Sequence, residues 1–195
     1  PNFDERGLLG FALHPDFASN GMAYTYMSVP SNESADFALA SEANHDTAIM
    51  QWTVTMDSET GIAIDANSGV ELLRVEQPQF NHNGGTIVFD QNNMLLIALG
   101  DGGSADDQGD GHSVGGNGQD MQKALGKILR IDPLGSNAAN GKYGIPSDNP
   151  YVGDGNVLDE IWITGVRNPY RITVDGSDVY ICDVGQNKIE EVTIV

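Results

Sequence analysis

Basic residues and cysteine are scarce in this sequence of 195 residues. Lysine and arginine together number 9 against 28 aspartate and glutamate residues, which gives a formal net charge of −19. Nucleic acid and anionic membrane surfaces are therefore disfavoured as partners, because their phosphates would be repelled. Cys182 is the only cysteine, so the chain cannot form an internal disulfide, and the redox compartment stays open.

Long hydrophobic runs are also missing. No apolar run approaches the roughly 18 residues that span a membrane, so we expect no membrane span. No signal peptide opens the sequence, and Pro1 at its start suggests a trimmed or partial chain. The length is sufficient for one sizeable core or two small ones.

The apolar runs that are present are short and alternate with polar residues. Residues 50–54 and 129–131 show this spacing, which predicts strands with one buried face. Only residues 120–126 predict a helix, with Asp120 as a possible N-cap and Gly126 as a possible stop. The sequence therefore predicts an all-β fold.

Three segments share one pattern: an apolar strand, an aspartate, a short polar turn and a second apolar strand. The aspartates of the three turns are Asp16, Asp90 and Asp175. Two further strand candidates follow each of the first two hairpins, whereas only the segment EEVTIV, residues 190–195, follows the third. Repetition of antiparallel four-stranded units predicts the blades of a β-propeller.

The predicted blades divide the chain into residues 1–80, residues 81–165 and an incomplete third blade at 166–195. Three blades are too few to close a ring, which takes roughly four to eight. We therefore expect a piece of a longer propeller, with a homodimer that completes the ring as the alternative. An ordinary β-sandwich with coincidental hairpins is the competing fold.

The loop before the first strand of each blade should open at the mouth of the propeller axis. These three loops contain Glu5, then His82, then Arg167 with Asn168. An imidazole can take a proton near neutral pH, a guanidinium can stabilise developing negative charge, and an amide can orient a ligand. Each residue alone is common in turns, but together, at equivalent repeat positions, they predict one axial site.

Two acidic segments are candidates for Ca²⁺, which prefers oxygen ligands. In the glycine-rich loop 100–120, Asp106 and Asp110 resemble the start of a calcium loop, but Asn117 stands where a bidentate glutamate belongs. A flexible solvated loop explains this composition equally well. The second segment follows the third hairpin, and its candidate ligands are Asp183, Val184, Gly185, Glu190 and Glu191.

The remaining histidines have simpler interpretations. His14 stands beside the first hairpin turn, so a structural role is expected. His45 and His112 lie in polar loops and are predicted to be solvated.

Six motifs, in order, resemble the glucose/sorbosone dehydrogenase family, and the likeness runs from about residue 3 to residue 195. The motifs are ERGLLGFALHPDF, NHNGGTIVFD, ALGKILRIDP, PSDNPYV, GVRNPYRI and DVGQNKIEEV. The resemblance implies a six-bladed propeller that oxidises aldose sugars with pyrroloquinoline quinone (PQQ) and Ca²⁺. It also implies an electron acceptor as partner and a periplasmic or extracellular location.

The resemblance further implies roles for individual residues. His82 would take the proton of the sugar's anomeric hydroxyl while hydride passes to PQQ, and Arg167 and Asn168 would bind the quinone oxygens. Glu5 and Asn81 would contact the sugar, and Ca²⁺ held by residues 183–191 would act as a Lewis acid. Further cofactor contacts in the family come from later blades.

Two other functions fit the same fold. Some members of such families keep the propeller, lose catalysis and bind proteins instead. A calcium-dependent propeller hydrolase or lactonase would use the same base on a water molecule, with a metal on the axis and no organic cofactor.

Overall fold

A computed structural model describes residues 4–32, 34–57 and 61–195. Within these ranges the protein is almost entirely β, which confirms the predicted fold class. One helix, α1 (Phe17–Asn20), is present there, and no helix among the described residues has the length or apolar character needed to cross a membrane. The strands are β1 Leu8–Leu13, β2 Met22–Val29, β3 His45–Asp57, β4 Gly61–Ile64, β5 Val70–Gln77, β6 Ile87–Phe89, β7 Leu95–Leu99, β8 Lys127–Ile131, β9 Ile161–Thr164, β10 Pro169–Asp175, β11 Asp178–Asp183 and β12 Glu191–Ile194.

The strands form three antiparallel sheets that follow each other along the chain. The first contains β1, β2, β3 and β5 in that order, the second contains β6 to β9, and the third contains β10 to β12. The first sheet differs from the predicted four strands by the short β4, which pairs residues 61–64 with the end of β3 at 54–57. Each sheet begins with one of the three predicted hairpins.

The three sheets pack side by side as blades of a propeller. The first strands are neighbours in space, since β6 contacts both β1 and β10. One apolar core lies between the first and second sheets, and a second core lies between the second and third. The loops that precede the first strands are therefore brought to a common edge.

The middle sheet is buried on both faces, and β7 shows how. Leu95, Ile97 and Leu99 belong to the core shared with the first sheet, whereas Leu96 and Ala98 belong to the core shared with the third. Successive side chains of a strand point to opposite faces, so a strand between two cores is apolar throughout.

The prediction of one buried face is wrong for β8, because its polar positions are buried too. Arg130 is 1% exposed, and its guanidinium donates to Asp90 Oδ2 at 2.7 Å and to Asp148 Oδ1 at 2.7 Å. The same group lies 4.6 Å from the ring centre of Trp162. The turn aspartate of the second repeat thus neutralises a buried cation, as such a cation requires.

The predicted helix at residues 120–126 is also wrong, and turns replace it. Asp120 Oδ1 accepts a hydrogen bond from the backbone N–H of Gln122 at 2.9 Å, which favours a turn. The N–H of Gly126 donates to the carbonyl oxygen of Gly100 at 2.7 Å. A backbone N–H that a helix would have paired internally is thus paired with a neighbouring loop.

His14 has the structural role expected of it, but the other two predictions on histidines are wrong. His14 is buried and its Nδ1 accepts from the N–H of Asp16 at 3.0 Å. The side chain of His112 is 1% exposed and its Nδ1 lies 2.7 Å from Asp107 Oδ1. His45 is buried at the start of β3. Both His45 and His112 lie in polar stretches of the sequence, so composition alone predicted that they would be exposed.

Burial of His45 predicts a pH dependence of stability. Desolvation, with the nearby charge of Arg6 as a smaller cause, lowers the pKa of His45 from 6.5 to about 4. Between these values the unfolded chain binds a proton that the folded chain does not, so this contribution to stability is lost as pH falls from about 6.5 to about 4.

Urea unfolding of the wild type and of His45→Gln across this pH window measures the effect. We expect the difference in unfolding free energy between the two proteins to shift in favour of the variant as pH falls. Parallel curves would contradict the buried neutral state of His45. The comparison cancels the changes that the many carboxylates contribute to both proteins.

Candidate active site

Three loops from three sheets meet at one edge of the stack. The backbone N–H of His82 donates to Glu5 Oε2 at 2.7 Å, and the Asn168 carboxamide donates to the same oxygen at 3.3 Å. Asn168 Oδ1 in turn accepts from the N–H of Gly84 at 3.0 Å. The loops before β1, β6 and β10 are therefore joined by direct hydrogen bonds.

His82 is held in an uncommon backbone conformation. Its φ is 53°, in the left-handed region that few residues other than glycine adopt, and it is 6% exposed. A side chain at Gly100 would clash with the carbonyl oxygen of His82, so glycine is required where β7 ends beside this loop. Such a conformation persists where the surroundings determine it fully, which is typical of functional loops.

The two ring nitrogens of His82 have different partners. Nδ1 lies 2.7 Å from Asp101 Oδ1, and Nε2 lies 2.9 Å from Arg167 Nη2. A guanidinium can only donate, so Nε2 is the acceptor and Nδ1 carries the proton that is donated to Asp101. The imidazole is therefore a neutral tautomer with its basic nitrogen toward Arg167.

Asp101 was missed as a site residue in the sequence, where it belongs to the acidic loop. It lies two residues after the end of β7, is 2% exposed, and its Oδ1 also accepts from the N–H of Gly103 at 2.9 Å. Its own N–H donates to the carbonyl oxygen of Arg167 at 2.8 Å. The position at the end of a fully buried strand is the signal that could have identified it.

Arg167 spans the site with all of its N–H donors engaged. Nη1 donates to the carbonyl oxygens of Val184 at 2.8 Å and Gly185 at 3.3 Å. Gln186 Oε1 accepts from Nε at 3.2 Å and from Nη2 at 2.6 Å, and His82 accepts from Nη2. A ligand that binds this guanidinium must exchange with one of these acceptors.

Asp183 lies in the site, but both of its carboxylate oxygens accept hydrogen bonds from backbone N–H groups. Its Oδ2 accepts from the N–H of Arg167 at 2.8 Å, and its Oδ1 accepts from the N–H of Asn168 at 2.6 Å. Burial raises the pKa of Asp183, and these two hydrogen bonds oppose the rise. Both oxygens of the carboxylate are therefore directed at the loop before β10, and they hold this loop in place.

The other predicted calcium ligands do not come together at one point that could hold the ion. Glu190 Oε2 accepts from the N–H of Gly185 at 2.9 Å, and Glu191 is exposed in β12 opposite Asp183. Asp106 and Asp110 are both exposed in the glycine-rich loop. In the described ranges no group of three or more histidine, cysteine, aspartate or glutamate side chains is placed to hold a metal ion.

A cleft of about 440 Å³ opens beside Arg167. It is lined by Asp106, Arg167, residues 183–189 and Glu191. Asn81, the second predicted sugar contact, is partly buried next to the site, and its Oδ1 has no hydrogen-bond partner among the described residues. His82, Arg167, Asn168 and Glu5 are thus brought together by hydrogen bonds, Asp106 and Glu191 line the cleft beside Arg167, and Asp110 is not part of that lining.

Replacing Asp101 with asparagine tests the tautomer. The amide can present N–H to Nδ1 and so favours the tautomer that carries the proton on Nε2, which can no longer accept from Arg167. We expect ¹⁵N NMR to show Nδ1 protonated in the wild type and Nε2 protonated in Asp101→Asn. A wild-type protein with the proton on Nε2 instead of Nδ1 would contradict the assigned hydrogen bonds.

Comparisons with known proteins identify the family. The sequence profile described as Glucose / Sorbosone dehydrogenase matches residues 2–195. The chain belongs to the glucose/sorbosone dehydrogenase family.

Individual relatives have different names. The HIPL2 protein of Arabidopsis thaliana is 30% identical over 100% of this chain and 32% of its own length. The Hedgehog-interacting protein of Mus musculus is 30% identical over 88% of this chain and 23% of its own length. The chain therefore spans about a third or less of these two relatives.

A solved structure has the same fold. The PQQ-bound form of aldose sugar dehydrogenase from Streptomyces coelicolor superposes with a TM-score of 0.63 at 22% identity, over 100% of this chain and 47% of that protein. The likeness shows a shared propeller architecture, and this chain corresponds to about half of the matched protein.

Proposed function

We propose that this chain forms part of a PQQ-dependent dehydrogenase that oxidises aldose sugars at the anomeric carbon. The observation that carries the proposal is the alignment of a neutral His82, with Nε2 as acceptor, against Arg167 beside a cleft. The membership of the chain in the glucose/sorbosone dehydrogenase family supports the same activity.

The donors at the cleft fit an anionic quinone. PQQ is rich in oxygen acceptors, and a guanidinium is the group that binds such oxygens most strongly. Arg167 would hold it by exchanging one of its present acceptors, for which Gln186 and His82 are the side-chain candidates. The Asn168 carboxamide donates one N–H to Glu5 and accepts from Gly84, which holds in place the loop that carries Arg167.

His82 is the proposed base. With Arg167 moved onto a ligand, Nε2 is free to accept the proton of the sugar's anomeric hydroxyl while hydride leaves the anomeric carbon. Asp101 accepts the Nδ1–H and stabilises the imidazolium that forms. When bound, PQQ would supply the oxidising carbonyl that takes the hydride.

The residues predicted to bind Ca²⁺ do not fit the ion in their present arrangement. Both oxygens of Asp183 accept backbone N–H groups, and the carbonyl oxygens of Val184 and Gly185 accept from the Arg167 guanidinium. A cation there would lie beside the Arg167 guanidinium and would compete with it for these carbonyl oxygens. The proposed chemistry of this chain's own residues therefore proceeds from His82, Asp101 and Arg167.

The family also supplies proposals about context. An electron acceptor would reoxidise the cofactor, and a periplasmic or extracellular location would suit such a dehydrogenase. Association of two copies is the proposed alternative to further blades as a means of completing the ring.

A second candidate is a propeller that binds a protein instead of a sugar. The names of the relatives favour it, because one of them is a Hedgehog-interacting protein at 30% identity. Such a module would have no need of a base whose tautomer is set by a buried carboxylate. The arrangement at His82 therefore favours the enzyme.

The full-length gene product, reconstituted with PQQ, tests the proposal. We expect it to reduce a dye with aldose sugars, and we expect His82→Ala to lower kcat by about 100- to 10,000-fold, the usual contribution of a general base. The variant His112→Ala is the control, because the side chain of His112 is bonded to Asp107 and not to His82, Asp101 or Arg167.

Each failure has a distinct meaning. A wild type that binds PQQ but oxidises no aldose would favour the binding module. Full activity in His82→Ala would remove this histidine from the mechanism.

A further inference from the structure

We infer that Glu5 is a positioning residue for His82, and this inference rests on the proposed role of His82 as base. A single carboxylate oxygen of Glu5 accepts three N–H groups from the loops of the two other sheets. Its Oε2 lies 2.7 Å from His82 N, 3.4 Å from Asn83 N and 3.3 Å from Asn168 Nδ2. The sequence had assigned Glu5 to sugar contact instead.

The backbone of His82 needs such a partner. A residue other than glycine is strained in the left-handed region, and the surroundings must hold it there. The hydrogen bond from His82 N to Glu5 is short and has a charged acceptor, so it belongs to the stronger class. Asp101 and Arg167 orient the ring, whereas Glu5 fixes the main chain that carries it.

The contacts of Glu5 link the loops before β1, β6 and β10 to each other. Glu5 N donates to the carbonyl oxygen of Phe80 at 3.2 Å, which ties the loop before β1 to the loop before β6. Asn168 donates to Glu5 and accepts from Gly84, which ties in the loop before β10. Arg167 is the neighbour of Asn168, so these hydrogen bonds also help to set the distance between the Arg167 guanidinium and the His82 imidazole.

Positioning and sugar contact predict different kinetic changes. A side chain that binds sugar equally in the ground state and the transition state raises KM when it is removed. A side chain that holds the base in place lowers kcat, because a small displacement of a reacting group is costly. Removal of the Glu5 carboxylate should therefore act on kcat.

The first measurement does not depend on activity. Diethyl pyrocarbonate modifies accessible imidazole nitrogens, and peptide mass spectrometry reads the rate at His82. We expect Glu5→Ala to raise this rate by about tenfold, in line with the loss of one charged hydrogen bond. Glu5→Gln should restore most of the protection, because its amide oxygen accepts the same N–H groups. Exposed Glu42, changed to alanine, is the control.

Glu5→Asp covers the case in which Glu5→Ala fails to fold. Its carboxylate is one methylene shorter and cannot reach both neighbouring loops, so an intermediate rate at His82 is expected. Wild-type reactivity in Glu5→Ala, or in Glu5→Asp if the alanine variant does not fold, would overturn the inference. So would a Glu5→Gln protein as reactive as Glu5→Ala.

Steady-state kinetics with PQQ and an aldose complete the test. We expect Glu5→Ala to lower kcat by about tenfold with KM changed by less than about threefold, and Glu5→Gln to recover most of kcat. A raised KM with unchanged kcat would assign Glu5 to the sugar and overturn the positioning role. Absence of any sugar oxidation in the wild type would refute the proposed function, and the modification rates would still decide the role of Glu5.

Discussion

The site depends on carboxylates that pair the buried backbone N–H groups of the axial loops. Asp183 accepts from Arg167 and Asn168, and Glu5 accepts from His82. A buried N–H without a partner costs about 1–3 kcal/mol, so loops that leave the sheets at this edge need acceptors from their neighbours. Here each acceptor comes from another loop or from the end of β11, and the loops are consequently held in place.

This constraint explains why acidic residues at the axis are poor metal ligands in the present arrangement. The carboxylates of Asp183 and Glu190 are directed at main-chain N–H groups. The positive charge at this point is instead the Arg167 guanidinium. It donates hydrogen bonds to the carbonyl oxygens of Val184 and Gly185. In a chain of net charge −19, an arginine so placed marks the position where a negatively charged ligand is best received.

The repeat made the fold and part of the site predictable from the sequence. The recurring turn aspartates indicated the hairpins, and equivalence of the preceding loops brought Glu5, His82 and Arg167 to one place. Asp101 was not predictable in the same way, because its contact with His82 joins the end of one strand to the loop before another. In the sequence it is one more acid in a glycine-rich segment.

Burial was harder to predict than position. Arg130 alternates with apolar residues in its strand and His45 stands between two polar residues, and the burial of both results from packing of whole sheets against each other. Composition also suggested that Asp183 and Glu190 would bind a metal, since oxygen ligands are dense there. The number of free lone pairs, which decides metal binding, depends on which backbone groups each carboxylate meets, and this is a property of the folded loops.

A crystal structure of the full-length gene product tests the central claim most directly. The account predicts His82 Nε2 within about 3.2 Å of the Arg167 guanidinium, with Glu5 between the loops of the first three blades. A His82 ring turned away from Arg167, or loops separated by solvent at this edge, would contradict it.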